Sequence, residues 1–480
     1  MAVREVAGLI AVTMLTSANL KAAPPEDSTV VKFPPSTAEK WVLPDGLTII
    51  VQEDHSAPVA SVQAWCATGS VNEDEHLGAG LSHILEHMLF KGTKTRSTNA
   101  IAQAIQNVGG YINAYTSFDR TVFWIDVPKA GVATALDVLS DAMMNSTLPP
   151  SEYAKEQEVI RREFAMNRDD PDRVTGQLLF ATAYQKHPYR LPVIGEMEIY
   201  NQLTQEQVMQ YYKTRYVPNN LTLVVVGDVD AEKVRAQLAK FFEAYPEKSL
   251  KPAFIPPEPP QLGRREVHNE FVTELTRLSL AWHIPEVTHP DVPAIDLLSG
   301  ILGDGRSSRL YRKVREESGL AYSVSAFSYT PGDPGLFGID ATVDPKKREA
   351  AEQLILQLVD QVRHDGVTAE ELTKAKKTSL SHHLHALTTM RGQASDVGSN
   401  WLLTRNLNFS REYLAAVQKV TLNDIRRVCA TYLSEQNLTV VSLNPKGSLA
   451  GKTETAKPVA AAEIQKFELA NGLRILVRED

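Results

Sequence analysis

Residues 203–228 read LTQEQVMQYYKTRYVPNNLTLVVVGD, and residues 420–445 read VTLNDIRRVCATYLSEQNLTVVSLNP. The two stretches are offset by 217 positions, and six residues of the second are identical to their counterparts in the first. Both stretches are typical of a helix, a short turn that contains Asn, and an apolar strand. The chain therefore contains an internal repeat, which decides how the rest of the sequence is interpreted.

A shorter match extends the repeat to the end of the sequence. Residues 41–54 read WVLPDGLTIIVQED, and residues 467–480, at an offset of 426 positions, read FELANGLRILVRED. Each stretch is typical of two strands that are joined by an Asp-Gly or Asn-Gly turn. Because 426 is close to twice 217, we infer one structural unit that recurs with a period of about 215 residues.

The repeat divides the chain, whose 480 residues are too many for one ordinary core, into successive units. Unit one is predicted at residues 36–250 and unit two at residues 264–446, with a Pro-rich linker at 251–263 between them. After a second linker at 447–463, residues 464–480 are interpreted as the start of a third unit. That unit is cut off within its first hairpin, so we expect the sequence to be a fragment of a longer protein.

Strand-like runs and amphipathic helical runs are mixed within each unit. In unit one the helices are predicted at Gly80–Phe90, Thr98–Val108, Gly131–Asn145, Ser151–Asn167, Thr204–Thr214 and Ala231–Tyr245. This order predicts an α+β fold of two homologous sandwich units, each a mostly antiparallel sheet that is covered by helices.

The composition excludes some partners. A formal net charge of −8 gives no electrostatic footprint for nucleic acid. The chain has two cysteines, Cys66 and Cys429, which we interpret as buried free thiols rather than a disulfide.

The first 23 residues resemble a secretory signal peptide, with an apolar stretch from Ala7 to Ala18 and small residues at Ala22 and Ala23. We therefore expect a periplasmic or secreted protein. The positive region is weak, because Arg4 is followed at once by Glu5. An amphipathic or disordered leader on a cytoplasmic protein is the alternative. No other segment approaches 18 uncharged apolar residues, so we expect no membrane span after the signal is removed.

The candidate chemistry lies in residues 78–93, which read GAGLSHILEHMLFKGT. His83 and His87 are four residues apart, so on a helix they share one face, where both imidazoles can reach one Zn²⁺ at about 2.0–2.1 Å. Glu86 lies beside them and could reach a water at the metal. The alternative is a core helix whose histidines are satisfied by hydrogen bonds.

The order H-x-x-E-H, the inverse of the commoner zinc motif, resembles the pitrilysin/insulinase family of inverted zincins, which includes mitochondrial processing peptidases. The resemblance covers nearly all of residues 36–446. It implies one Zn²⁺ per chain, with Glu163, on a helix well downstream of His87, as the third ligand. Glu156, seven residues earlier, corresponds to the glutamate that helps to orient the site. A charged, solvent-exposed helix face is the alternative for both glutamates.

The repeat provides an internal comparison for the metal helix. Residues 82–87 read SHILEH, and the equivalent residues of the second copy, 299–304, read SGILGD. Gly300, Gly303 and Asp304 thus stand where unit one has His83, Glu86 and His87. This difference favours a function that only unit one carries.

The family resemblance also implies residues that contact the substrate. Arg315 and Tyr322 match a pair that reaches the substrate from the non-catalytic half, where the arginine binds a carbonyl or carboxylate and the tyrosine donates to the oxyanion. Asn113 and Ala114 match an edge strand to which a peptide adds by main-chain hydrogen bonds. Ordinary surface, core and strand residues are the alternatives. The family further implies a clamshell around a closed chamber.

These observations predict a zinc-dependent metalloendopeptidase that hydrolyses peptides or unfolded segments, with Glu86 as the general base. The alternatives are a non-catalytic partner or assembly subunit of the same family, and a tandem enzyme whose chemistry lies in the missing half. We expect either a homo-oligomer or a continuation into a second half-chain.

Overall fold

The computed structural model describes residues 33–449, 465–468 and 474–477. The predicted signal peptide and most of the second linker lie outside these residues. The strands are β1 (Glu39–Val42), β2 (Thr48–Glu53), β3 (Val59–Cys66), β4 (Tyr111–Thr116), β5 (Thr121–Pro128), β6 (Leu221–Gly227), β7 (Arg265–Phe271), β8 (Thr276–Ile284), β9 (Ala321–Tyr329), β10 (Gly335–Val343), β11 (Leu438–Pro445), β12 (Gln465–Glu468) and β13 (Arg474–Val477).

The helices of unit one are α1 (Leu81–Met88), α2 (Thr98–Asn107), α3 (Val132–Asn145), α4 (Pro150–Asp169), α5 (Pro171–Ala183), α6 (Met197–Tyr200), α7 (Gln205–Arg215) and α8 (Ala231–Phe242). Six of these helices agree with the predicted ones to within a few residues, whereas α5 and α6 were not predicted. The helices of unit two are α9 (Val292–Gly303), α10 (Arg348–Asp365), α11 (Ala369–Ala386), α12 (Met390–Thr404), α13 (Phe409–Lys419) and α14 (Leu422–Tyr432). None of the helices in the described residues has both the length and the apolar character needed to cross a bilayer.

The two large sheets repeat one topology. Their strand orders are β1-β2-β6-β3-β5-β4 and β7-β11-β8-β10-β9, and in each sheet one pair is parallel, β2 with β6 and β7 with β11. Even the register repeats: Thr48 pairs with Thr222, and their equivalents in the second copy, Arg265 and Thr439, pair with each other. The predicted α+β fold of two homologous, mostly antiparallel units is therefore confirmed. A separate antiparallel pair joins β12 to β13.

Each sheet packs its inner face against helices of its own unit. Along β2, Ile49 and Val51 join the core that also contains apolar residues of α1, α3, α4 and α8, whereas Ile50 between them points to the other face. This alternation follows from the two-residue period of a strand. The predicted free thiols, Cys66 and Cys429, are both buried and unpaired.

The outer face of each sheet is covered by a helix from the other unit. Helix α12 of unit two brings Ala394 and Val397 against Trp65 of the first sheet. In return, α5 of unit one brings Leu179 and Ala183 to the outer face of the second sheet. Because both faces of both sheets are buried, strands such as β6 are apolar almost throughout. The exchange of helices holds the two units together.

Helix α12 lies so close to the first sheet at one glycine that a substitution there tests the described packing. A Cβ added to Gly398 of α12 would lie 2.3 Å from the ring of Trp65, which is buried. We therefore expect Gly398→Ala to destabilise the fold by about 1–3 kcal/mol through overpacking, despite the better helix propensity of alanine. Urea unfolding would measure the change.

Gly176 of α5 provides the matched control, because a Cβ there would meet nothing within 4 Å. Gly176→Ala should stabilise the chain by about 0.5–1 kcal/mol. Equal stabilisation by both substitutions would contradict the described packing of α12 on the first sheet.

Candidate active site

Helix α1 separates its apolar residues from its candidate ligands. Its buried residues include Leu81, Ile84, Leu85 and Met88. His83, Glu86 and His87 lie on the less buried side, and the centroids of the two imidazole rings are 4.8 Å apart. The apolar stripe therefore orients the helix so that both rings face the same neighbour, helix α4.

Helix α4 brings Glu163 to the two histidines. Its Oε2 lies 3.6 Å from Nε2 of His83 and 3.7 Å from Nε2 of His87. Two ligands of a tetrahedral zinc ion, each at about 2.1 Å, lie about 3.4 Å apart. The observed spacings fit such an ion, and among the described residues these three form the one His/Cys/Asp/Glu group that could hold a metal.

The second nitrogens of the two histidines differ in their surroundings. Nδ1 of His87 lies 3.1 Å from Oε2 of Glu156, a carboxylate that is almost fully buried in α4. Nδ1 of His83 is buried and has no hydrogen-bond partner among the described residues. Burial lowers the pKa of His83 to about 3, and the nearby His87 acts in the same direction. The His83 ring is therefore neutral near pH 7, as a metal ligand must be.

Glu86 is held by a residue that sequence reasoning did not select. Thr116, the last residue of β4, donates from Oγ1 to Oε2 of Glu86 at 2.6 Å. Burial raises the pKa of Glu86, and the hydrogen bond from Thr116 lowers it in part. Thr116 directly follows Asn113, Ala114 and Tyr115 in the sequence, but nothing in its spacing indicated a contact with α1.

Strand β4 forms the edge of the first sheet, beside α1. On it, the Oδ1 of Asn113 accepts a hydrogen bond from the backbone N–H of Ala114 at 2.8 Å, and Nδ2 donates to the hydroxyl of Tyr111 at 2.9 Å. Asn113 is exposed and Ala114 packs against the core of unit one. Substrate contacts by these two residues stay a prediction.

Arg315 and Tyr322 lie in unit two. Arg315 belongs to the π-helical segment Tyr311–Glu317, and its guanidinium carbon is 4.8 Å from the ring centroid of Tyr311. Tyr322 lies on β9, the edge strand of the second sheet, with 59% of the residue exposed. In the part of the chain that the structure describes, neither side chain contacts the histidine cluster, so their roles also stay predictions.

Unit two has no room for a side chain at the position that corresponds to Glu86. A Cβ added to Gly303, which stands where unit one has Glu86, would lie 1.9 Å from the backbone nitrogen of Ala326 on β9. In unit one the same space between helix and edge strand holds a carboxylate and a threonine hydroxyl. The loss of the ligands in unit two is therefore accompanied by a closer approach of the strand.

Glu73 is a second residue that sequence reasoning missed. Its carboxylate is buried beneath the start of α1 and accepts backbone N–H groups, Oε2 from Gly80 and Oε1 from Ser82, each at 3.0 Å. Gly80 has a left-handed backbone and no side chain that could cap the helix, so Glu73 satisfies these amides instead. In the sequence Glu73 is followed by two further acidic residues, Asp74 and Glu75, so no local pattern distinguishes it as the residue that caps α1.

Comparisons with known proteins show which family the chain resembles. The model described as insulinase (peptidase family M16) matches residues 48–197, and the one described as the peptidase M16 inactive domain matches residues 202–379. A Streptomyces coelicolor protein described as an uncharacterized zinc protease is 32% identical over 409 residues, which are 83% of this chain and 88% of that protein. A Bacillus subtilis protein with the same description is 27% identical over 411 residues, 86% of this chain and 99% of that protein.

A solved structure shares the arrangement of most of the chain. A protease from Helicobacter pylori is 27% identical and superposes with a TM-score of 0.81, over 86% of this chain and 100% of that one.

Removal of the Glu73 carboxylate should destabilise the start of the metal helix. Glu73→Ala leaves two buried N–H groups without an acceptor, which should cost about 2–4 kcal/mol in the free energy of unfolding. Chemical denaturation would measure this, and the more conservative Glu73→Gln should cost less. A loss below about 0.5 kcal/mol in Glu73→Ala would contradict the capping role.

The same residue predicts a dependence of stability on pH. Burial raises the pKa of Glu73 to about 8, against the lowering effect of the backbone N–H donors. Since the folded-state pKa exceeds the unfolded value, this contribution is complete below about pH 4.5 and is lost as the pH rises through about 8. The free energy of unfolding of wild type relative to Glu73→Gln should therefore fall over that range. A constant difference would contradict the prediction.

Proposed function

The chain belongs to the insulinase family of peptidases, family M16, and from that premise we propose that it is a zinc-dependent metalloendopeptidase that cleaves peptides or unfolded protein segments. The observation that carries the proposal is the convergence of His83, His87 and Glu163, with Glu86 beside them on the same helix as the histidines. Relatives described as zinc proteases support the choice of metal.

His83, His87 and Glu163 would hold the ion through two imidazole nitrogens and one carboxylate oxygen. This donor set, with one coordination position left open, is typical of catalytic rather than structural zinc sites. When bound, zinc supplies a Lewis acid that polarises the scissile carbonyl group and acidifies a water molecule.

Glu86 would act as the general base. It takes a proton from the water that attacks the carbonyl carbon and passes that proton to the nitrogen of the leaving amine as the C–N bond breaks. Burial raises the pKa of Glu86, which strengthens it as a base, and Thr116 fixes the orientation of the carboxylate by binding Oε2.

Strand β4 would bind the substrate as an additional strand of the first sheet. Main-chain hydrogen bonds make such binding tolerant of the peptide sequence. The side-chain oxygen of Asn113 accepts the hydrogen bond that the N–H of Ala114 donates. A substrate carbonyl would take the place of that oxygen, and the freed carboxamide could bind the peptide near the scissile bond. Arg315 would bind a substrate carbonyl or carboxylate and Tyr322 would donate to the oxyanion.

A non-catalytic partner or assembly subunit is the second candidate. The family description of an inactive domain covers residues 202–379, which include the part of unit two that lacks ligands. The complete ligand set in unit one favours the enzyme. The leader predicted at residues 1–23 favours action outside the cytoplasm, and the amino-terminal sequence of the native protein would test its removal.

Glu86→Gln separates catalysis from metal binding. The amide cannot accept the proton of water, so kcat/KM on a quenched fluorescent peptide should fall by about 10²–10⁴-fold while zinc content is retained. Glu163→Ala should lose zinc as well as activity. Metal analysis and peptide turnover on the same preparations would measure both.

Glu158→Gln provides the control on helix α4, because that side chain is 63% exposed and pairs with Arg161. It should keep both zinc and activity. Unchanged turnover in Glu86→Gln would rule out the proposed base, and a folded wild type without zinc or turnover would favour the partner subunit.

A further inference from the structure

Lys91 lies just after α1, at the side of the candidate metal site. Its Nζ donates to Oε1 of Glu156 at 2.6 Å, while the other oxygen of that carboxylate lies 3.1 Å from Nδ1 of His87. The backbone of Lys91 is itself fixed, since its N–H donates to the carbonyl of Met88 at 3.0 Å and its carbonyl accepts from Oγ1 of Thr98 at 2.6 Å. The ammonium group is therefore presented by a segment that is held at both ends.

Glu156 needs a cation where it stands. Its side chain is only 9% exposed, and an isolated ionised carboxylate in such a place is costly. Lys91 is the one lysine or arginine within ion-pair distance of Glu156 in the described part of the chain. Lys91 thus pairs with the buried carboxylate and, together with His87, fixes both of its oxygens.

The position of Glu156 decides which nitrogen of His87 can bind a metal. A neutral imidazole carries one proton, and a carboxylate beside Nδ1 favours the tautomer that has the proton there. Nε2 then presents its lone pair towards Glu163, whose Oε2 is 3.7 Å away. His83 has no such partner at Nδ1 among the described residues. Of the two histidines, His87 is therefore the one whose tautomer and ring orientation are fixed by a neighbouring side chain.

We propose that Lys91 is a positioning residue of the metal site, which acts through Glu156 to hold His87 as an Nε2 donor. This proposal rests on the proposed zinc-dependent function.

The internal repeat indicates that the fold itself does not need a lysine at this position. The equivalent of Lys91 in the second copy is Ser308, and the equivalent of His87 is Asp304. Ser308 is buried, and its hydroxyl has no hydrogen-bond partner in the part of the chain that the structure describes. Unit two thus builds the same helix and sheet without a lysine at this position. The lysine is present in the unit that has the histidines and absent from the unit that lacks them.

Zinc affinity of the full chain, measured by competition with a chelator of known affinity, tests the proposal directly. Lys91→Met removes the charge but keeps the aliphatic stem, and we expect the zinc Kd to rise about 10–100-fold. Lys91→Arg keeps a cation and should stay within about threefold of wild type. Lys94→Met is the control, because Lys94 is exposed and its replacement removes the same charge three residues away.

A double-mutant cycle distinguishes positioning from a general loss of structure. If Lys91 acts through Glu156, the Kd of Lys91→Met combined with Glu156→Gln should equal that of Glu156→Gln alone. Independent effects would multiply instead. Lys91→Gln provides a second neutral variant should the methionine variant fail to fold.

Each outcome bears on the proposal. A zinc Kd within about twofold of wild type in a folded neutral variant, or multiplied effects in the cycle, would overturn the role of Lys91 and leave the proposed function standing. A wild-type chain that binds no zinc would overturn both.

Discussion

The packing of α1 against α4 within one apolar core is the interaction on which the candidate site depends. Ile84 and Leu85 of α1 and Ile160 and Phe164 of α4 belong to the same buried cluster. Because protein interiors are packed as densely as organic crystals, these contacts fix the rotation of each helix about its axis and its position along that axis before any ion is bound. The three donor atoms are thereby brought together by the packing of apolar side chains in the core of unit one.

Periodicity predicted the part of the site that lies on a single helix. His83, Glu86 and His87 follow from the stripe on α1, and the observed helix Leu81–Met88 falls inside the predicted Gly80–Phe90. Glu163 is different, because α4 is charged on several sides and only the family resemblance singled it out. Residues that act through contacts between elements, such as Thr116, carried no local signal.

In the sheets, too, some features follow from local sequence patterns and others depend on contacts between distant segments. The two-unit topology followed from the repeat, since one pattern of turns and apolar runs builds each unit. The exchange of α5 and α12 could not be read in this way, because an amphipathic helix does not reveal which sheet it covers. The indirect signal was the strand β6, since a strand that is buried along its whole length needs cover on both faces.

A comparison of the two units distinguishes the features that the fold requires from those that the proposed chemistry requires. Both build a helix behind an edge strand, but the gap between them differs: unit one accommodates Glu86 and Thr116, whereas the backbone of Ala326 fills the space beside Gly303. A carboxylate needs that gap, so a glutamate in place of Gly303 could not be accommodated until β9 moved away. The spacing between helix and edge strand therefore excludes a counterpart of Glu86 from unit two, which also lacks both histidines.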